Sequence, residues 1–407
     1  MIHGPVRLAY LATHPIQYQA PLLERIAAEP GIDLTVFLRS DWSVDGFDDP
    51  GFGRRIQWDV PLLEGYRHQF LPAWGDARRI TPFWRPFSRG LARRLVASRA
   101  EVLWVHGYAR FFHWVALAEA KALGLKLLLR DEATAISAPR TPSRRAAKRA
   151  FFAGLRQLVD GYLAIGSLNR AYYRSHGVPV RRLFDMPYAV DNERFAAAAA
   201  LAAPDREQRR TAFGLAPGRP VVLFAGKLTP IKAPEVAVAA LARLKAGAAA
   251  GRSPYLLLAG DGPLRASLES EAAAHGLAED VRFLGFRNQS ELPALYDLCD
   301  VFLLPSRREP WGLVVNEAMN AGRAIVASDQ VGSAADLVRP GVNGAIVPAG
   351  DEAALAAALA GIVADPARCR AMGEASRRLI AGWGFEQDVA GLKQALAAVL
   401  ARPEAAR

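Results

Sequence analysis

Two glutamates stand eight positions apart around a Pro-Trp-Gly turn in EPWGLVVNE, residues 309–317. Such a pair can serve a glycosidase, a metal site or nothing beyond a solvated surface. VFLLPSRRE reads as the end of a strand, and GLVVNEAMNAG as a helix closed by Gly322. Glu309 then sits at a strand's carboxyl end, and Glu317 lies about 7 Å further along the helix axis. That offset does not suit two acids flanking one bond. It suits two carboxylates that grip different parts of one elongated ligand. The N–H groups of Trp311, Gly312, Leu313 and Val314 open the helix and suit phosphate or sugar oxygens. A second stretch, FAGKLTPIKAPE (224–235), carries Lys227 and Lys232 on a Gly/Pro-shaped loop after another strand. Two ammonium groups there suit a diphosphate.

Those residues need strands to hold them, and the chain supplies two sets. VRLAYLAT, IDLTVFL, EVLWVHG, LKLLLRD and YLAIGS fall in the first half. PVVLFAG, YLLLAGDG, VRFLGF, VFLLPS, AIVAS and GAIVP fall in the second. Short apolar runs separated by helical patterns indicate parallel sheets with crossover helices. With 407 residues, 51% of them hydrophobic, the expectation is an α/β protein of two doubly wound domains facing across a cleft. The boundary is expected near 187–215, where FAAAAALAAPDREQRR (195–210) is Ala-rich, then charged, and lacks an amphipathic apolar stripe. The expected division is 1–195, 196–384, and a last helix in 385–407 that crosses back to the first domain.

Composition narrows the classes. Two cysteines, Cys299 and Cys369, make neither a disulfide framework nor a metal knuckle and suit a reducing cytosol. The start, MIHGPVRLAYLATH, reads as a strand rather than a signal peptide, and no apolar run is long enough to span a bilayer. The net charge of +11 is lopsided: 28 Lys+Arg and 18 Asp+Glu fall in residues 1–195, which therefore hold +10. A basic half can meet nucleic acid, anionic lipid or a phosphorylated ligand. GDGPLR (260–265) has Arg where a dinucleotide fingerprint needs its third glycine.

The order AGKL-x3-K, GDGPL, VRFLGF, LPS-x2-EPWGL-x3-EA, AIVAS and G-x-N-G resembles the family 4 retaining glycosyltransferases of GT-B fold, over about residues 218–350. The resemblance implies that Glu309 contacts the donor sugar and Glu317 the ribose hydroxyls. It implies that Lys227, Lys232 and the helix start at Trp311, Gly312 and Leu313 hold the diphosphate, with Gly226, Gly260 and Phe286 completing the donor side. The first lysine is more often Arg in the family; Lys keeps the charge without the planar fork. The family's Gly-Gly-x2-Glu turn stands here as VGSAAD, with Ser333 and Asp336. No metal or cofactor is implied, because cations and a helix dipole can neutralise the leaving group.

The first domain resembles a bacterial subgroup of the family across HPIQYQ (14–19) and GxxxxYYxxxGVP (166–179). His14 and Gln17 are expected in the cleft. His106, in WVHGY, matches a sugar-contacting histidine of relatives and is paired with Glu309 at the reacting centre. Asp131, in RDE (130–132), is expected to meet the acceptor. The implied partners are a nucleotide-sugar donor and a glycan or lipid-linked acceptor, with no nucleic acid. Residues 78–99 and 140–156 mix Arg/Lys with aromatics and are expected on an anionic membrane surface, at the inner face of the cytoplasmic membrane. The competing expectation packs their apolar faces on the sheet. Other readings are an epimerase or phosphorylase with two facing α/β domains, or a basic nucleic-acid-binding protein. For the last of these the chain offers no recognised module.

Overall fold

The computed structural model describes residues 4–401, except 75, 77, 79–82, 85–86, 138–140 and 248–252. The first part of the chain gives β1 (Val6–Ala12), β2 (Ile32–Leu38), β3 (Phe47–Asp49), β4 (Arg54–Ile56), β5 (Arg67–Phe70), β6 (Ala73–Trp74), β7 (Phe87–Ser88), β8 (Val102–His106), β9 (Lys126–Arg130), β10 (Gly161–Ala164) and β11 (Leu183–Asp185). Seven of them form one parallel sheet in the order β11-β10-β9-β8-β1-β2-β5. The second part gives β12 (Val221–Ala225), β13 (Tyr255–Ala259), β14 (Val281–Gly285), β15 (Val301–Leu304), β16 (Ala324–Ser328) and β17 (Gly344–Val347). These form a parallel sheet in the order β14-β13-β12-β15-β16-β17. The apolar runs are buried on both faces, as strands covered by crossover helices must be.

Both sheets change winding direction at a central strand: β1 pairs with both β2 and β8, and β12 with both β13 and β15. Such switch points leave a crevice beyond the carboxyl ends of the strands. His14, His106, Lys227 and Glu309 all follow strands at those ends. The β3–β4 hairpin pairs antiparallel outside the sheet, with Phe47 opposite Ile56. It has no long apolar run and carried no strand signal in the sequence.

One boundary differs from expectation. In the Ala-rich stretch, Asn192–Ala202 and Arg206–Ala212 are helices. Asp191 caps the first by accepting from the Arg194 N–H, and Phe195 and Ala199 pack into the core of the second sheet. Alanine forms helix without a wide apolar stripe, and three buried side chains, Phe195, Ala199 and Ala202, dock it. Phe195 therefore belongs to the second domain.

The last helix, Phe385–Leu400, does cross back. Val389, Leu392, Ala395, Leu396 and Val399 pack into the first domain's core beside Tyr10 and Trp104. Its Asp388 is fully buried and accepts from Arg130 Nη2 at 2.9 Å. Burial pushes the Asp388 carboxyl up to about 7, against the pull of the Arg130 guanidinium.

Candidate active site

The donor-side motifs converge. Gly226 follows β12, and its N–H bonds Ala259 O at the end of β13. Gly260 has φ +157°, and a Cβ there would lie 1.8 Å from Gly226 O, so the two turns can lie this close only without a side chain. Lys227 leaves the first turn and Lys232 the loop after it. Lys232 Nζ pairs with Glu309 Oε2. Lys227 Nζ lies 2.9 Å from both oxygens of Asp49, at the end of β3 in the other domain. Sequence reasoning missed Asp49, and no motif marks it.

Glu309 is fixed through its backbone: its N–H bonds Gln330 O, and Gly332 N–H bonds its carbonyl. Gly312 then takes φ +91° and opens the helix Leu313–Asn320. Among the described residues, the N–H groups of Leu313 and Val314 bond no protein acceptor. They are the open donors of a helix start. The Trp311 side chain does not join them. It is 3% exposed, bonds Asn316 Oδ1 at 3.0 Å and stacks on Trp383. An indole beside two apolar helices gains more by burial than by facing a polar cleft.

Glu317 projects from that helix into a closed site. Tyr296 Oη donates to Oε2 at 2.5 Å, Tyr18 of the first domain stands alongside, and Oε1 has no donor. Burial pushes its carboxyl up to about 7, against the hydrogen bonds of both tyrosines. Phe286 faces the first domain, with Phe52 edge-on at 5.0 Å and Trp58 at 6.3 Å. In VGSAAD, Asp336 Oδ2 accepts the Ser167 N–H at 2.9 Å and ties the two domains together.

The first domain supplies a basic wall. His106 is held by Gln19, whose Nε2 lies 2.9 Å from His106 Nε2 while its Oε1 accepts from Tyr10 Oη. That orientation makes Nε2 an acceptor and leaves the proton on Nδ1. Burial, then the charges of Arg130 and His14, hold His106 down to about 3, so the ring is neutral. His14 accepts or donates at Thr13 Oγ1 and meets Trp42 edge-on at 5.0 Å. Burial and Arg39 lower it to about 4. Gln17, expected here, is half-buried and has no hydrogen-bond partner among the described residues. Gln19, the second glutamine of HPIQYQ, turns inward beneath β1 through the helical turn after Ile16.

Asp131 is a further correction. It is 7% exposed and locked inside the first domain, accepting from Tyr173 Oη at 2.6 Å and Asn169 Nδ2 at 3.3 Å. Its neighbour Glu132 is the carboxylate that feels Glu309. Burial raises the Glu132 pKa first, and the Glu309 charge adds to the rise against the hydrogen bond from Tyr188. Successive residues beyond a strand point to opposite sides, so a one-residue change moves the acid from cleft to core.

The basic stretches also resolve. Leu91 and Leu95 of the helix Leu91–Ala97, and Phe152 and Leu155 of the helix Pro142–Leu158, are buried against the sheet. The packed-face expectation holds for both. Arg79, Arg85, Pro86 and Arg140 lie outside the described residues. Arg93, Arg99 and Arg144 stay exposed, as do three tryptophans at or near these stretches: Trp74 at 70%, Trp84 at 66% and Trp114 at 42%, with Arg89 over the Trp74 ring. No helix among the described residues is long and apolar enough to cross a membrane.

Residues 205–379 match the family model described as Glycosyl transferases group 1. A D-inositol 3-phosphate glycosyltransferase of Nocardia farcinica is 35% identical over 202 residues, 48% of this chain and 44% of that protein. The 2-deoxystreptamine glucosyltransferase of Streptomyces kanamyceticus is 36% identical over 214 residues, 52% of this chain and 53% of that protein. The chain thus spans about half the length of the curated relatives it matches. Among solved structures, HepE of Anabaena in complex with UDP and glucose superposes with a TM-score of 0.69 at 18% identity, covering 97% of this chain and all of that one. Sucrose-phosphate synthase of Thermosynechococcus elongatus gives 0.68 at 21% identity, covering 96% and 98%. The fold is GT-B: two facing parallel-sheet domains.

Proposed function

From the premise that residues 205–379 are a Glycosyl transferases group 1 domain, we propose that the chain is a retaining glycosyltransferase that takes its sugar from a nucleoside diphosphate donor. One observation carries the reading. Two ammonium groups, an open helix N-terminus and the Glu309 carboxylate meet at the carboxyl ends of the adjacent strands β12 and β15. Lys227, Lys232 and the Leu313 and Val314 N–H groups neutralise the departing diphosphate, where charge grows as the glycosidic bond breaks. Glu309 faces the sugar and Glu317 the ribose. The departing phosphate takes the acceptor proton on the face it leaves, which retains the anomeric configuration. UDP is the first nucleotide to try, since HepE is described with it. Neutral His106, positioned by Gln19, offers a hydrogen bond to the sugar or the acceptor.

The acceptor meets the first domain. The positive charge of Arg39 and Arg110 near His14 suits a polyhydroxylated acceptor carrying negative charge, such as a glycan intermediate or a lipid-linked sugar. The exposed Trp74, Trp84 and Trp114 with Arg89 suit contact with an anionic membrane at its cytoplasmic face, in the service of cell-surface polysaccharide or glycolipid synthesis. The chemistry needs no metal, because the cationic groups are built in.

A thermal-shift panel of nucleotide sugars tests the donor reading. At least one nucleoside diphosphate sugar should raise the melting temperature, and Lys232→Ala should abolish the rise. No response to any of them overturns it. Sedimentation with anionic vesicles tests the surface: binding should fall with salt and in Trp74→Ser/Trp84→Ser. No sedimentation at low salt points to a soluble acceptor.

A further inference from the structure

The β3–β4 hairpin leaves the first domain and lies along the donor side of the second. Asn288 Nδ2 bonds Gln57 O at 2.7 Å, and Ser290 N–H bonds Asp59 Oδ2 at 3.1 Å. Phe52 and Trp58 meet Phe286, and Arg54 stands 5.7 Å over the same ring. Gly51 approaches so closely that a Cβ there would touch the Lys227 side chain. Among these contacts, one carboxylate is delivered to one ammonium: Asp49 to Lys227, with both oxygens at 2.9 Å. Asp49 is built for that place. It is 8% exposed, and its Oδ1 also accepts the Gly51 and Phe52 N–H groups, which close the hairpin turn. Lys232, the other ammonium, is likewise matched with a carboxylate, that of Glu309.

Both cations of the diphosphate site are thus neutralised from within, one by each domain. We propose that Asp49 and Glu309 are internal counter-ions which the donor diphosphate displaces, so that donor binding itself frees Glu309 for the sugar and uncouples the hairpin's carboxylate from the second domain. The proposal rests on the donor-site reading above. A diphosphate brings more charge to the two lysines than two single carboxylates, and it reaches both at once, so the exchange favours the donor. It also lowers donor affinity, because the internal pairs must be broken first. When the diphosphate leaves, Asp49 returns to Lys227, which aids product release. Asp49 is accordingly a positioning residue: it acts on the donor through Lys227.

The prediction is that removing an acidic charge from the other domain tightens binding. Asp49→Asn keeps Oδ1 for the Gly51 and Phe52 N–H groups, so the turn is retained, and an unchanged urea midpoint verifies the fold. Calorimetric titrations at low ionic strength would use UDP and, separately, inorganic pyrophosphate. Asp49→Asn should bind both about fivefold to tenfold more tightly than the wild type, the scale of one partly exposed ion pair. In a Lys227→Ala background the same substitution should leave both affinities within about twofold. Unchanged or weaker binding by Asp49→Asn, with wild-type binding intact, overturns the proposal and leaves the donor site standing. Equal tightening with and without Lys227 also overturns it, because the effect would then not pass through that pair. If neither the wild type nor Asp49→Asn binds UDP, GDP or pyrophosphate, the donor-site reading falls and takes the proposal with it.

Discussion

The donor side and the acceptor side of the cleft are built in different ways. On the donor side, most of the chemistry-bearing residues follow a strand within a few positions. Gly226 and Lys227 follow β12, Gly260 follows β13, Phe286 follows β14, and Glu309 follows β15 by a short loop. On the acceptor side, the groups are held by partners far away in the chain. His106 depends on Gln19 and Tyr10, and Asp131 is captured by Asn169 and Tyr173. A local motif survives without its surroundings, whereas a long-range hydrogen bond is invisible until the strands are assembled. The two sides also meet through side-chain contacts, among them Asp49 with Lys227 and Ser167 with Asp336.

The sharpest way to break this contrast is to cut the helix that ties the two halves together. Asp388→Ala should lower stability by about 3–5 kcal/mol in urea denaturation, because it leaves the fully buried Arg130 guanidinium without its counter-charge. A loss under about 1 kcal/mol would mean that the helix docks by its apolar face alone.

Glu309→Gln comes next. Turnover should fall about a hundredfold, the cost of one group aimed at developing charge, while UDP affinity holds or improves as Lys232 is released. Collapse of UDP affinity with turnover preserved at saturation would move Glu309 from the sugar to the nucleotide.

Glu317 gives a pH signature. Burial raises its carboxyl to about 7, so it is neutral below that pH and ionised above it. Only the ionised form accepts from a ribose hydroxyl at both oxygens. UDP affinity should therefore rise about tenfold from pH 6 to pH 8, relative to Glu317→Gln, in which the rise should be absent. The stability sign is the opposite. The folded state holds the proton more tightly than the unfolded chain, so this group's contribution declines as pH climbs from about 4.5 to about 7. The same substitution should flatten that decline in a urea series.

The smallest effect belongs to the acceptor side. Gln19→Leu removes the partner that fixes the His106 ring and should raise the acceptor KM a few-fold, with donor KM unchanged. Restoration by Gln19→Asn would show that a hydrogen bond at His106 is the cause. A change confined to donor KM would place His106 on the donor side.

The sequence by itself determined the two parallel sheets and the strands that precede each motif. Their apolar runs, glycines and charges act over a few positions, where chain connectivity alone sets the distance. Only the tertiary structure decided that Gln19 holds His106, and that Asp131 is locked inside the first domain while Glu132 feels Glu309. It also decided that Trp311 turns inward and that the Ala-rich stretch is a docked helix. Above all it brought Asp49, in a hairpin with no strand signal, to Lys227, 178 positions away. Neighbours along a strand or helix share a burial pattern and compete for the same few positions. The winner is chosen by which partner's hydrogen bonds and apolar surface lie opposite, and those are fixed only once distant segments pack.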